Sequence, residues 1–279
     1  MAAGYWAIRT WRAGPVEEKI KFWVPGRRPE GKGAAKRDRN LRKAAQNQQN
    51  AVKTLARLIN ENFLEGDVLA GLDYSDAALE RLRDQVPDFY RMDGLEQMAA
   101  EWEAARKHLA KIIRRMRDLA KKRGIELRYV AVTSDLDGET GEVARVHHHL
   151  IVNREAKELL SEVWHDGGLD YEPLSAQPDY TPIAAYLIRQ VRHVEDAKKY
   201  TSSRNLRRPE PKDAIAKSAA VLRAPKGALL VDAGTNVPGQ PQYIRYIISD
   251  AVATGEEAVR RGVKIVRAVE GHRRRRDVT

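Results

Sequence analysis

Arg145-Val146-His147-His148-His149-Leu150-Ile151-Val152-Asn153 is the stretch on which both the fold and the chemistry turn. It is rich in β-branched and apolar residues and reads as a strand, closed by Asn153. Successive side chains of a strand point to opposite faces, so His147 and His149 share one face, and Val146, His148, Leu150 and Val152 take the other. Two imidazoles side by side form a ready metal clamp; taken alone, the pair equally fits the polar face of a half-exposed sheet. His148 falls among apolar residues and is expected to be packed, not to ligate.

A strand from Leu127 to Ser134, followed by the turn-rich Asp135-Leu136-Asp137-Gly138-Glu139-Thr140-Gly141, makes this segment the second arm of an antiparallel hairpin. A divalent ion on two His nitrogens usually adds a carboxylate, and Asp135 ends the first arm within reach of the same patch. Asp137, Glu139 and Glu142 lie further into the turn and fit turn acids as well. Downstream come a helix over 155–164, a strand over 169–174 and a helix opened by Thr181-Pro182. Over Thr181 to Val194 the spacing puts Ile183, Ala184, Leu187, Ile188 and Val191 on an apolar arc and leaves Tyr186, Arg189, Gln190 and His193 on a polar one. Tyr186, three residues from a cation, is a candidate nucleophile toward an anionic phosphate; the alternative is an amphipathic surface tyrosine. The stretch 198–209 mixes cations, hydroxyls and Tyr200, as a phosphate-contacting loop or a merely solvated one would.

Upstream, Gly66 to Tyr74 predicts a short buried strand. Leu95, Met98, Trp102, Ala105, Leu109, Ile112, Met116 and Leu119 predict a long amphipathic helix ending near Gly124. The N-terminus reads as a hairpin from Tyr5 to Val24, broken at Gly14-Pro15 and suited to a sheet edge. Ten Lys/Arg between Arg27 and Arg57 then face only Glu30 and Asp38, a basic arm running into a helix. Beyond Pro209 a helical stretch, Gly227 to Val231 and Tyr243 to Ile248 precede a terminal run of four arginines from Arg273 to Arg276.

With 279 residues, 42% of them hydrophobic, the chain can bury a core, and its formal charge of +11 suits a polyanion, most commonly nucleic acid. There is no cysteine, which excludes disulfides, thiolate nucleophiles and Cys-based zinc sites. With no apolar run long enough to span a bilayer and no signal-peptide layout, the expectation is a cytoplasmic protein without a membrane partner.

The ordered set of motifs between about Asp67 and Pro211 resembles the HUH endonuclease superfamily, and within it the replication-associated proteins related to the gene II proteins of filamentous phages. The resemblance rests on Tyr129 to Thr133, Arg145 to Asn153, Ile183 to Ile188 and Tyr200 to Leu206. It implies an α+β fold, a ferredoxin-like antiparallel sheet with helices packed on one face. Around that core stand an N-terminal hairpin and basic helix (1–65) and a C-terminal extension (212–279), leaving 66–211 as the nuclease. It makes His147 and His149 paired ligands for Mg²⁺ or Mn²⁺, with Asp135 in the place of the third, and Tyr186 the single catalytic tyrosine. The family's usual lysine three residues after the tyrosine is Arg189 here, and Arg189, Lys199, Arg204, Arg207 and Arg208 are the expected DNA contacts. The implied function is rolling-circle initiation: nicking and joining of single-stranded or hairpin origin DNA through a 5′-phosphotyrosine link, alongside a host helicase or polymerase. A conjugative relaxase and a non-catalytic nucleic-acid-binding protein are the alternatives.

Overall fold

The computed structural model describes residues 4–26, 36–137, 140–191, 198–234 and 237–248, with side chains of the first helix from 46 onward. In chain order the elements are β1 (Tyr5–Ala13), β2 (Val16–Val24), α1 (Lys36–Asn62), β3 (Val68–Asp73), α2 (Asp76–Arg83), α3 (Gly94–Arg123), β4 (Tyr129–Leu136), β5 (Val143–Val152), α4 (Lys157–Val163), β6 (Leu169–Pro173), α5 (Thr181–Arg189), β7 (Thr201–Ser202), β8 (Lys212–Ala216), β9 (Leu229–Ala233) and β10 (Gln242–Ile247). They divide into two compact units. Of the described residues, one unit takes those up to Asn62, Ala176–Pro182 and those from Arg207 to Ile248; the other takes Phe63–Ser175 and Ile183–Leu206.

The second unit is built on an antiparallel sheet of order β6-β3-β5-β4-β7. The strand that carries the three histidines is β5, central in the sheet, with Asp73, Leu72 and Gly71 opposite His147, His148 and His149 on one side. Ser134, Thr133 and Val132 stand opposite them on the other. One face carries Val68, Ala70, Leu72, Tyr129, Ala131, Leu150 and Val152, which form a core with α2, α3 and α4. Fully burying an aliphatic side chain such as Ile112 or Leu150 is worth roughly 1.5–3 kcal/mol, so this face dominates the stability of the unit. The predicted stripe on α3 is buried from Trp102 to Met116, but Leu95 stays exposed, because packing begins two turns into the helix. Asp93 and Glu96 form a reciprocal capping box at its start, and Gly124 closes it at φ 66°, the left-handed conformation that costs glycine least.

The helices do not all lie on one face: α5 covers the opposite side of the sheet. Its Gln190 and Tyr186 meet β5 there, and the Ser134 hydroxyl donates to the Gln190 carbonyl at 2.7 Å. The face bearing His147 and His149 is polar at that end, with Ser134 and Asp73, and apolar beyond, with Leu69, Val130, Val132 and Ile151, so a helix with both polar and apolar residues packs against it.

The first unit is a second antiparallel sheet, of order β8-β1-β2-β10-β9. The N-terminal hairpin forms as predicted, but as inner strands: β8 pairs with β1 and β10 with β2. Residues 212–216, within the part of the tail where a helical stretch was expected, are a strand. Among the described residues the tail contains no helix. Such pairings join positions some 200 residues apart, such as Arg9 and Asp213, and local periodicity does not report them. On one face Arg57 of α1 lies 3.8 Å over the Trp11 ring and bonds Glu18 at 2.6 Å. Toward the other, the fully buried Lys21 ammonium donates to the carbonyls of Ser218 and Ala220 at 2.6 and 2.5 Å. Among the described residues no helix is long and apolar enough to cross a membrane.

Candidate active site

Strand alternation places His147 and His149 on the α5 side of β5, and the rings stand edge to face with centroids 4.9 Å apart. Both Nε2 atoms converge on one atom, the Gln190 side-chain oxygen, at 3.2 Å from His147 and 3.0 Å from His149. Gln190 follows Tyr186 by four residues, one helical turn on the same face. The Tyr186 ring packs edge-on against His149 at 5.3 Å. All four side chains are buried, Tyr186 and Gln190 completely. Tyr186 and Gln190 of the polar arc face the histidines, not solvent, and of the described members of that arc only Arg189 is exposed. His193 lies outside the described residues.

The hydrogen bonds define what this cluster can hold. His147 Nδ1 donates to the Arg145 carbonyl at 2.8 Å, and since a carbonyl only accepts, the proton sits on Nδ1. In the neutral ring the Nε2 lone pair then points at the Gln190 oxygen, lone pair against lone pair. A cation shared between them resolves this, as does turning the amide so that its NH₂ faces the rings. Gln190 Nε2 is buried with no hydrogen-bond partner among the described residues. Two imidazole nitrogens and an amide oxygen, one imidazole already held by a second hydrogen bond, fit a divalent metal. Asp135 is buried where the β4–β5 register slips between Ser134 and Leu136. Among the described residues no three His, Cys, Asp or Glu side chains gather closely enough to hold a metal, and the oxygen on which both histidines converge is that of the Gln190 amide. Asp137 serves the turn, accepting from the Thr140 amide and hydroxyl at 2.8 and 3.1 Å, and Glu139 lies outside the described residues.

His148 points the other way, into a chain of hydrogen bonds whose direction can be derived. It begins at Asp166, whose carboxylate only accepts and which lies 3.4 Å from His108 Nε2. His108 Nε2 therefore carries the proton, and Nδ1 accepts from the Tyr74 hydroxyl at 2.9 Å. The Tyr74 oxygen then accepts from His148 Nε2 at 2.8 Å, and His148 Nδ1 accepts from the Thr133 hydroxyl at 3.1 Å. The middle histidine is thereby fixed in one tautomer and one orientation. Burial, with His108 and His149 nearby, pushes it down to about 3, so it is neutral at physiological pH. Burial likewise lowers His108, against the pull of Asp166, and raises the Tyr74 phenol.

Residues 95–200 match the family model of replication-associated proteins that groups the ORF2 proteins with the phage gene II proteins. The resemblance drawn from the motifs is borne out over this segment, which runs from α3 through the histidine strand and α5. No match was found among the curated proteins or the solved structures. Of the residues expected to touch DNA, Arg189 and Arg204 are exposed and Lys199 is half-buried in the unit that carries the histidine strand; Arg207 and Arg208, also exposed, fall in the other unit. The sequence reading gave no role to Gln190, Tyr74 or His108. The four-residue step from Tyr186 was a legible signal for the first; nothing local marks the other two.

Proposed function

We propose that this replication-associated protein initiates rolling-circle replication by cutting one DNA strand with Tyr186. The observation that carries the reading is the convergence of His147 and His149 on one point beside Tyr186 and Gln190. The succession β3-α3-β4-β5-α4-β6 with spatial order β6-β3-β5-β4 supports a ferredoxin-like core of the HUH kind, with the histidine pair on a central strand and the tyrosine on a helix across it.

In this reading His147, His149 and the Gln190 oxygen hold Mg²⁺ or Mn²⁺, with Gln190 in the place first considered for Asp135. A divalent ion bound there would supply positive charge to the non-bridging oxygens of the scissile phosphate. The Tyr186 oxygen gives up its proton and forms a bond to phosphorus, the bond from phosphorus to the 3′-oxygen breaks, and that oxygen takes up a proton to leave as a 3′-hydroxyl. The strand end stays attached as a 5′-phosphotyrosine, and attack by a 3′-hydroxyl reverses the step and rejoins DNA. A free 3′-hydroxyl is what a host polymerase extends, behind a helicase that opens the duplex. Tyr186 is completely buried, so the packing around α5 must part before a phosphate reaches the phenol; a single-stranded or hairpin substrate, whose backbone is not held in a duplex, suits such a narrow approach.

The test is a labelled pool of single-stranded oligonucleotides incubated with Mn²⁺. A denaturation-resistant protein–DNA adduct is expected from the native chain and not from Tyr186→Phe or His147→Ala. An adduct that persists in Tyr186→Phe rules that nucleophile out.

A further inference from the structure

The charge of the protein is divided unevenly between its two units. The stretches 63–175 and 183–206, which hold the histidine pair and Tyr186, contain 21 Lys+Arg against 25 Asp+Glu, a balance of −4. The stretches 1–62, 176–182 and 207–261 contain 23 against 12, a balance of +11, and the remaining 262–279 contain 6 against 2, a balance of +4. The net positive charge therefore lies outside the stretches that hold the histidine pair and Tyr186.

Within the basic unit, α1 has two unlike halves. From Leu55 on it is a packed helix, with Leu55, Ala56, Leu58 and Ile59 buried. At 46–50 four of five consecutive residues are exposed and the fifth, Gln48, is half-buried. Five residues at 100° steps cover the full circumference, so no side of the helix is packed there. The sequence from Lys36 to Asn50 contains five cations, one acid, six Asn or Gln, and only Leu41, Ala44 and Ala45 as apolar residues. Lys36, Arg39, Lys43, Gln46, Asn47 and Asn50 recur at helical three- and four-residue steps, cations first and amides after.

We propose that this first half of α1 is a duplex-DNA-binding helix that lies in the major groove and anchors the protein beside the strand it cuts. The inference rests on the DNA-processing reading above for its choice of polyanion. Fifteen helical residues span about 22 Å, and the major groove, roughly 12 Å wide, admits a helix. Arg and Lys pair with phosphates and guanine edges, and Asn and Gln with adenine, so the composition matches that groove. The other polyanions fit less well. Single strands are held by aromatic stacking platforms, and 36–50 has no aromatic residue. The major groove of duplex RNA is too narrow for side chains to read. A helix lying on an anionic membrane needs a broad apolar face, which one leucine and two alanines do not supply.

The experiment uses the full chain and a fluorescent DNA duplex of about 20 base pairs of arbitrary sequence, with the labelled strand alone as comparison, titrated across a range of salt. Each phosphate contact contributes about 0.9 to the slope of log affinity against log salt for B-form DNA. Arg39→Ala/Lys43→Ala is expected to reduce the duplex slope by about 2 and to weaken binding on the order of tenfold or more at moderate salt, with a smaller loss on the single strand. Asn47→Glu/Asn50→Glu, at exposed positions that do not pack, is expected to weaken duplex binding at least as much with unchanged helix content. Duplex affinity and slope equal to the native chain in both variants overturn the proposal, as does a loss confined to the single strand. Adduct formation on single-stranded DNA separates the two readings. Native adduct yield in variants that no longer hold duplex supports the anchor, whereas no adduct from any form, with α1-dependent duplex binding intact, defeats the nicking reading alone.

Discussion

Replacing Tyr74 by phenylalanine removes one oxygen and breaks two consecutive hydrogen bonds, to His108 at 2.9 Å and to His148 at 2.8 Å. The ring itself stays, with its edge-to-face packing on His148 and Trp164 at 5.3 and 5.1 Å, so little apolar contact is lost. The two partners fare differently. His108 is partly exposed and its Nδ1 can turn to water. His148 is completely buried and has no such recourse. If it keeps its Nε2 proton, that donor is orphaned; if it moves the proton to Nδ1 and donates to Thr133, the Nε2 acceptor is orphaned instead. An unsatisfied buried polar group costs about 1–3 kcal/mol, which sets the expected loss near 2 kcal/mol, or a drop in Tm of about 4–8 °C for a chain of this size. Urea unfolding followed by circular dichroism measures it, with an unchanged m-value as the sign that only stability has moved. Thr133→Val, at the far end of the same chain, is expected to be non-additive with Tyr74→Phe by at least about 0.5 kcal/mol. A stability loss under about 0.5 kcal/mol together with additive behaviour would refute the directed chain.

Gln190→Ala removes the atom on which both imidazoles converge and is expected to weaken Mn²⁺ binding, by calorimetry, about tenfold, while Gln190→Glu strengthens it; equal affinity in all three chains would show that the amide is no ligand. Gly167→Ala would drive a methyl group into the Asp73 carbonyl oxygen and to 2.6 Å from the Ser75 nitrogen, both backbone atoms that cannot swing aside, and a loss of about 2–3 kcal/mol is expected in urea unfolding. A chain as stable as the native one would mean that the 165–168 loop does not rest on the end of β3. His148, held near 3, and His108, also lowered by burial, stay neutral in the folded chain, so below about pH 6.5 the unfolded chain binds more protons and stability falls with pH. Unfolding free energies that stay flat from pH 7.5 to 5 would mean that neither histidine is held neutral by the fold.

What could be foreseen from the sequence follows the range of the interactions concerned. Strand alternation is a property of each residue and its next neighbour, so the division of three histidines into a pair facing one side and a single one facing the other was legible, and β5 shows it. The face that α5 presents was legible as a pattern but not as an environment. Periodicity separates polar from apolar arcs, and only the polar end of the sheet face beneath, set by His147, His149 and Ser134, turns Tyr186 and Gln190 inward. The same limit applies to the side chain that meets both imidazoles. A carboxylate was sought because metals favour one, and Asp135 was near in sequence; the register slip after Ser134 is invisible locally, and it is Gln190, some forty residues away, that meets the rings. Least legible was the first unit, whose sheet joins the N-terminal hairpin to strands near the other end of the chain. Yet the net charge of that unit was open to a count as soon as its members were known. A basic composition spread over the whole chain had suggested that the nuclease itself attracts DNA. Counted by stretch, the net positive charge lies outside the segments that hold His147, His149 and Tyr186, which is why a variant crippled in α1 and a variant crippled at Tyr186 are expected to fail in different assays.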